Sequence, residues 1–262
     1  MNRMLTIVAL VSLANGCSSS NSDGALRDGS TGGSDAADAA STVVNCGDPN
    51  AAIDPTALID DMESPDSLTV MGGSRGASWW AGGDEPSKAT GGAIEPDGVV
   101  MAEKITGGRC GSQYANRVTG HGFGIWAVIN VSFGWGSVDG GPEQLLPYDA
   151  SFRDGIIFWA RIGDTSSANV RLNVTDKYSN DMGGICDKTV TTGATACYDH
   201  FGTVLTNLST TWRQYKVPFR ALKQLNFGIP RPELDTTSLY SIDFDMPLGT
   251  SFDFWVDDLS FY

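Results

Sequence analysis

The sequence predicts an all-β protein, a jelly-roll β-sandwich, and three observations support this prediction. Short runs rich in β-branched and aromatic residues recur along the chain, separated by Gly, Asn, Asp and Pro. The apolar spacing typical of amphipathic helices is scarce. The chain has 32 glycines in 262 residues, which suits a protein with many turns and loops.

The N-terminal segment has the features of a signal peptide rather than of a strand. Arg3 precedes an apolar run of about ten residues, too short to span a bilayer, and small residues follow it. Residues 1–16 are therefore predicted to be cleaved. Cys17 comes next, and the segment resembles bacterial lipoprotein signals, in which this cysteine is lipidated, although Leu13 lies four residues before it instead of three. The alternative is secretion without a lipid.

Residues 17–45 form a second segment, composed mainly of Ser, Gly, Asp, Ala and Thr. Such a composition cannot bury enough apolar surface to fold, so it predicts a flexible linker. The resemblance to lipoproteins implies a lipid-anchored protein of the bacterial cell envelope, at the outer membrane or cell surface. Without lipid at Cys17 the protein would be secreted. Residues 46–262 remain for the β-domain.

The cysteine count agrees with a lipid anchor. There are five cysteines, and an odd number in an exported chain leaves one unpaired. If Cys17 carries lipid, the other four form two disulfides, for which three pairings exist. We favour Cys186 with Cys197, which are close in sequence, and Cys46 with Cys110, which would tie the start of the domain to its body.

Charge and motif content exclude several functions. The chain has 17 basic and 31 acidic residues, a formal charge of −14, which disfavours nucleic acid and anionic lipid. Membrane contact is therefore expected through the lipid anchor only. No Ser/His/Asp spacing, zinc pattern or phosphate loop accompanies His121 or His200. The sequence predicts a protein that is not an enzyme.

Strand-like runs occupy residues 124–131, 155–162, 169–175, 212–219, 239–244 and 252–261. Side chains alternate between the two faces of a strand. In residues 170–174 the apolar positions point to the core, and Arg171 and Asn173 point away. Asp243 and Asp245 likewise share the face opposite their apolar neighbours.

Five motifs, in order, resemble a known family. They are LIDDME at 58–63, ASWW at 77–80, YDASFRDGIIFWAR at 148–161, TWRQYKVPF at 211–219 and FWVDDLSF at 254–261. This order is similar to that of galactose-binding-like β-jelly rolls, especially the carbohydrate-binding modules attached to glycoside hydrolases, over residues 56–262. The resemblance implies non-catalytic binding of a polysaccharide or oligosaccharide. The alternatives are a structural or interaction module of the envelope without a sugar site, and a hydrolase.

Aromatic and polar side chains supply the candidate ligand site. Sugar rings stack on exposed aromatic faces, and a polar sheet face offers hydrogen bonds to hydroxyls. Trp159, Trp212 and Trp255 lie within strand patterns and are expected in the core. The candidates are Trp79, Trp80, Trp126, Arg171, Asn173, Tyr178, Asp243 and Asp245. Because Trp79 and Trp80 are adjacent, they should face opposite ways.

The adjacent acids Asp257 and Asp258 lie in the middle of the last strand. Alternation should turn only one of them to solvent. In many jelly rolls of the family the first and last strands meet at a calcium ion. The resemblance therefore implies a structural Ca²⁺ with Asp61, Glu63 and Asp257 as ligands. The alternative is that these carboxylates end strands in solvent.

Overall fold

The protein is described by a computed structural model that covers residues 56–66, 78–137, 140–141 and 143–262. The predicted signal peptide, Cys17, the linker and Cys46 lie outside these ranges. The described chain is a jelly-roll sandwich of two large antiparallel sheets, so the predicted all-β fold is confirmed. Among the described residues, helical structure is limited to α1 (Glu85–Lys88) and two 3-10 turns, and none of it is long and apolar enough to cross a membrane.

The strands follow the predicted runs closely. In chain order they are β1 (Leu58–Asp60), β2 (Trp79–Gly83), β3 (Ala93–Glu95), β4 (Gly98–Val99), β5 (Glu103–Arg109), β6 (Ser112–His121), β7 (Ala127–Ser132), β8 (Trp135–Ser137), β9 (Glu143–Leu145), β10 (Gly155–Ile162), β11 (Arg171–Asp176), β12 (Phe201–Val204), β13 (Arg213–Pro218), β14 (Leu239–Asp245) and β15 (Phe252–Phe261). Asp84 caps the N-terminus of α1 by accepting a hydrogen bond from the Ser87 backbone.

The strands form two large sheets and one hairpin. The seven-stranded sheet has the order β13–β10–β15–β6–β3, with β1 beside β15 and β5 beside β6. The six-stranded sheet has the order β12–β11–β14–β7–β2–β4, and β8 pairs with β9. The last two strands in chain order, β14 and β15, therefore lie in different sheets.

The core lies between the sheets and follows from alternation. Leu172 and Val174 of β11 are fully buried, as are Ile242 and Phe244 of β14, which confirms the predicted inward faces. The Phe244 ring lies 5.2 Å from that of Phe254 in the opposite sheet. Each large apolar side chain buried in this way contributes roughly 1.5–3 kcal/mol, so the contact between sheets dominates stability.

The prediction that Trp159, Trp212 and Trp255 are buried core residues is confirmed, but they do not belong to the core between the sheets. They are buried in a separate cluster on the outer side of the seven-stranded sheet. The Arg161 guanidinium lies 4.4 Å from the Trp255 ring and 5.2 Å from the Trp212 ring, and Arg109 lies 4.7 Å from Trp159. Stacked arginines, rather than the opposite sheet, cover these indoles through cation–π contact.

The predicted disulfide between Cys186 and Cys197 is present. It closes a loop from Cys186 to Cys197 within the segment 177–200, which connects β11 to β12. Cys110 is also disulfide-bonded. Its predicted partner, Cys46, lies outside the described residues, so that pairing stays a prediction.

Candidate functional site

The outer side of the six-stranded sheet carries a row of aligned side chains across five strands. Trp80 lies opposite Asn130, Asn130 opposite Asp243, Asp243 opposite Asn173, and Asn173 opposite Gly202. Because neighbouring strands are about 4.8 Å apart, this central row spans roughly 19 Å perpendicular to the strands. One aromatic side chain and three polar side chains thus share a single strip of surface.

Two further rows flank the central row. One consists of Gly82, Val128, Asp245, Arg171 and Val204. The other consists of Ser132, Ser241 and Thr175, with His200 preceding β12 at its end. The three rows together are called the polar face below. The structure thus brings five predicted residues together: Trp80, Arg171, Asn173, Asp243 and Asp245.

Trp80 is the aromatic side chain of the central row, and Gly82 makes its position possible. The indole lies over Gly82, where a Cβ atom would come within 2.1 Å of the Trp80 ring. The side chain is still 38% exposed, so the ring presents surface to a ligand.

The assignment of Trp79 to the ligand site is wrong, because its side chain points into the core. Trp79 is 1% exposed, and its indole N–H donates to Asp60 Oδ2 at 2.7 Å. The opposite orientation of Trp79 and Trp80 was expected from alternation.

Asp243 and Asp245 lie two residues apart on β14 and are both largely covered. Ser241 Oγ donates to Asp243 Oδ1 at 2.7 Å, and Asn173 Nδ2 donates to Asp245 Oδ2 at 2.6 Å. Burial raises the pKa of Asp243 to about 7, and the nearby Asp245 adds to the increase. Burial also raises the pKa of Asp245 to about 6, although the Asn173 hydrogen bond opposes it.

Arg171 forms no ion pair with either carboxylate, although it lies opposite Asp245 across β11 and β14 and its charge lowers the pKa of that acid. Its Nε donates to Asn173 Oδ1 at 2.8 Å, and its Nη2 donates to the Lys223 carbonyl at 2.7 Å. The guanidinium therefore orients the Asn173 amide, which in turn donates to Asp245. Gly202 provides the space for this arrangement, because a Cβ there would lie 2.0 Å from Asn173 Oδ1.

His200 and Asn130 belong to the polar face, and sequence reasoning did not select them. His200 Nε2 lies 4.0 Å from Asp243 Oδ2, and its Nδ1 lies 3.0 Å from Ser179 Oγ. Burial lowers the pKa of His200 to about 4, so the ring is neutral at physiological pH. Alternation within the run 124–131 would have identified Asn130, because its neighbours are apolar and point inward.

The segment 177–200, which contains the disulfide, covers one end of the polar face. Asn180 Nδ2 donates to Thr175 Oγ1 at 3.1 Å, and Thr175 and Ser241 are buried beneath this region. Trp80 is exposed and Asn130 and Arg171 are partly exposed, so the other end is open to solvent. A ligand would therefore enter at the Trp80 side.

Two predicted ligand residues lie at the margins. Trp126 is 43% exposed just before β7, where its backbone N–H donates to Asp84 Oδ2 at 3.1 Å. Because Gly83 pairs with Ala127, the preceding residue, Trp126, lies beside the end of the polar face. Tyr178 lies in the turn after β11, with the Arg231 guanidinium 4.0 Å from its ring. It is at the opposite end of β11 from Arg171.

The predicted metal ligands lie on the other sheet. Asp257 is 0% exposed, and Arg109 Nε donates to its Oδ2 at 2.8 Å. Arg109 Nη2 donates to Asp258 Oδ2. Ser112 Oγ lies 2.8 Å from Asp257 Oδ2 and 2.9 Å from Glu63 Oε1.

A β-bulge explains why both Asp257 and Asp258 lie at Arg109. Asp258 has φ of 48°, and the pairing of β10 with β15 shifts register at this point. The extra residue lets both carboxylates reach one guanidinium, while Leu259 and Phe261 return to the core. As expected, only one of the two acids reaches solvent, since the side chain of Asp257 is 0% exposed and that of Asp258 is 25% exposed, but alternation did not predict the bulge that brings both to Arg109.

These residues, as arranged, do not fit a calcium ion. Of the three predicted ligands, Asp257 already accepts from the Arg109 guanidinium, which also donates to Asp258, and Glu63 Oε1 accepts from the backbone N–H of Gln113 at 2.9 Å. Asp61 Oδ1 accepts from the Glu63 backbone at 3.1 Å. Within the described ranges no three His, Cys, Asp or Glu side chains are grouped to hold a metal. Calcium binding stays a prediction that a chelator can test.

Comparison with known proteins found similarity only at the level of solved structures. No protein-family model and no curated protein matches the sequence. A family 11 carbohydrate-binding module from Clostridium thermocellum, in complex with a mixed-linked β-1,3-1,4 tetrasaccharide, is 18% identical with a TM-score of 0.45, covering 78% of this chain and 94% of that one. A family 30 module of a cellulosomal cellulase of Clostridium thermocellum is 15% identical with a TM-score of 0.47, covering 79% and 96%.

A third similar structure belongs to an enzyme. An exo-β-agarase is 9% identical with a TM-score of 0.43, and the match covers 79% of this chain but 25% of that one. The modules are of the class that the sequence motifs resemble. Because each TM-score is below 0.5, these similarities carry no further argument about this protein.

Proposed function

We propose that the protein binds a polysaccharide or oligosaccharide on the polar face, without catalysis. The observation that carries the proposal is the central row, in which the Trp80 ring lies over Gly82 and is followed by Asn130, Asp243 and Asn173. An exposed indole beside several hydrogen-bonding groups suits a ring with an apolar face and a hydroxyl rim.

The first test is affinity electrophoresis of the purified protein through gels containing soluble β-glucans, xylans or mannans. We expect retardation in at least one gel and its loss in Trp80→Ala. Trp135→Ala is the matched control, because Trp135 is 41% exposed but belongs to the separate β8–β9 hairpin. Full retardation of Trp80→Ala would reject the proposed face, and no retardation in any gel would reject these glycans as ligands.

We also propose that the protein is held at the bacterial cell envelope by lipid on Cys17. The support is the N-terminal resemblance to lipoprotein signals and the odd cysteine count. Metabolic labelling with an alkyne fatty acid should label the protein but not Cys17→Ser. An unlabelled protein found in the medium would instead indicate secretion.

The alternative is a structural or interaction module of the envelope. It predicts that substitutions on the polar face change no glycan retention but remove a protein partner. Hydrolysis makes a separate prediction, the release of reducing ends by the purified protein, and Asp243 and Asp245 are the carboxylates that such a test would examine first.

A further inference from the structure

We infer that the polar face selects glycans whose sugar units carry a protonated amine over neutral and acidic glycans. This inference rests on the proposed function and specifies its ligand. It follows from the combination, in two adjacent rows, of an aromatic platform and two carboxylates that form no ion pair with lysine or arginine in the described part of the chain.

The first step is the charge of the pair. Within the described residues, neither Asp243 nor Asp245 forms an ion pair with lysine or arginine, and the only basic group near Asp243 is His200, 4.0 Å away. Burial disfavours the protonation of His200, so its ring supplies no positive charge to Asp243 near neutral pH. Arg171 directs its Nε and Nη2 to Asn173 and the Lys223 carbonyl instead.

The second step is the set of unused acceptors. Hydrogen bonds from Ser241 and Asn173 reach Asp243 Oδ1 and Asp245 Oδ2. Asp243 Oδ2 and Asp245 Oδ1 receive none from any residue that the structure describes. Burial is the main cause of the raised pKa of both acids, and for Asp245 neither the charge of Arg171 nor the Asn173 hydrogen bond offsets it. A ligand on this face must therefore supply donors.

The third step is the desolvation free energy that a ligand must offset when it covers the polar face. A bound glycan removes water from both carboxylates, and a neutral hydroxyl replaces only part of the lost solvation. An ammonium group supplies donors and charge together, and charge-assisted hydrogen bonds are about twice as strong as neutral ones. The Trp80 ring adds cation–π attraction for the same group. An acidic glycan would bring like charges together and be rejected.

The test compares β-1,4-linked pentasaccharides of glucosamine, N-acetylglucosamine and glucose by isothermal titration calorimetry with the whole protein. The measurements use near-neutral pH and about 0.15 M salt, at which surface charges are screened beyond roughly 8 Å. We expect the glucosamine oligomer to bind about tenfold more tightly than either neutral oligomer, as one added charge-assisted interaction would give.

Variants separate recognition by the face from attraction by the net charge of −14. Asp243→Asn and Asp245→Asn should each remove most of the preference. Asp164→Asn makes the same charge change at an exposed turn after β10 of the other sheet and should retain it. Circular dichroism shows whether each variant is folded.

Three outcomes would overturn the inference. Equal or tighter binding of the neutral oligomers would remove the selectivity while leaving the proposed glycan binding intact. A preference that survives both face variants as well as the control would assign it to net charge. Absence of binding to all three oligomers and to the polysaccharide gels would remove the proposed function itself.

Discussion

Two pairs of aspartates lie on the outer sides of the two sheets, and their surroundings differ. Asp257 and Asp258 of β15 share the guanidinium of Arg109, which is itself buried. Asp243 and Asp245 of β14 form no ion pair with arginine or lysine within the described chain, although Arg171 lies opposite Asp245. The first pair shares one buried cation inside the protein and belongs to its stability. The second pair leaves acceptors unused and is suited to a ligand, at some cost to stability.

The largest expected effect is the loss of stability when Arg109, the cation shared by Asp257 and Asp258, is replaced. Arg109→Met leaves Asp257 buried without its cation, and loss of one partner of a buried ion pair costs about 3–5 kcal/mol. Urea unfolding should show this loss. Arg213→Met, at an exposed position of β13, should change the free energy of unfolding by less than about 0.5 kcal/mol. If the two variants were equally stable, Arg109 would not support the fold.

The second prediction concerns Asp243, which forms no ion pair with lysine or arginine among the described residues. The folded-state pKa of Asp243, about 7, lies above the ordinary value of 3.8. The folded protein therefore binds more protons than the unfolded chain between these values, and this contribution to stability is lost as pH rises through the window. Asp243→Asn should raise the free energy of unfolding by about 2 kcal/mol at pH 8 and leave it unchanged near pH 4.

Urea unfolding at the two pH values measures this dependence, with Asp164→Asn as the control. A loss of stability in Asp243→Asn at pH 8 would mean that interactions within the protein offset the cost of burying the Asp243 charge. The contrast between the two aspartate pairs would then disappear.

The third prediction addresses the platform beside the second pair. Gly82→Ala places a Cβ within 2.1 Å of the Trp80 ring, so the indole must move away from the sheet. We expect about tenfold weaker glycan binding, equivalent to roughly 1.4 kcal/mol, with little change in stability because a side chain, not the backbone, moves. Calorimetry and tryptophan fluorescence report the two changes.

Gly124→Ala is the control for this substitution, since its added Cβ would meet only Ser87 Oγ at 3.7 Å. If Gly82→Ala bound glycans like the control, the position of Trp80 over Gly82 would not matter for binding.

The smallest expected effect is that of calcium. Because Arg109 already bridges Asp257 and Asp258, addition of EDTA or of calcium should shift the melting temperature by less than about 1 °C. Differential scanning calorimetry measures the shift. A decrease of several degrees with EDTA, restored by calcium, would support the calcium site that the family resemblance implies and would require Arg109 to leave the carboxylates.

Alternation explains why much of the polar face was predictable. A strand such as 170–174 exposes its side chains in a period of two, so Arg171 and Asn173 had to share one side once their neighbours were apolar. The same rule assigned Asp243 and Asp245. It could not decide between Trp79 and Trp80, because the residues before them lack a clear period.

Pairings between distant segments were beyond this reasoning. Arg109 and Asp257 are separated by 148 residues, and no local pattern states that they meet. The bulge at Asp258 breaks the period of two on which the prediction depended. The indoles of Trp159, Trp212 and Trp255 are buried as predicted, but no local pattern placed them on the outer side of the sheet instead of between the sheets. Apolar residues in a strand indicate burial but not which face provides it.

The sequence by itself indicated the all-β class, the inward faces of β11 and β14 and the Cys186–Cys197 disulfide, because these depend on residues close together in the chain. The tertiary structure decided which polar groups meet across strands and therefore which carboxylates share a cation. Electrostatic energy depends on distances between groups far apart in the chain, and only strand order and register fix those distances.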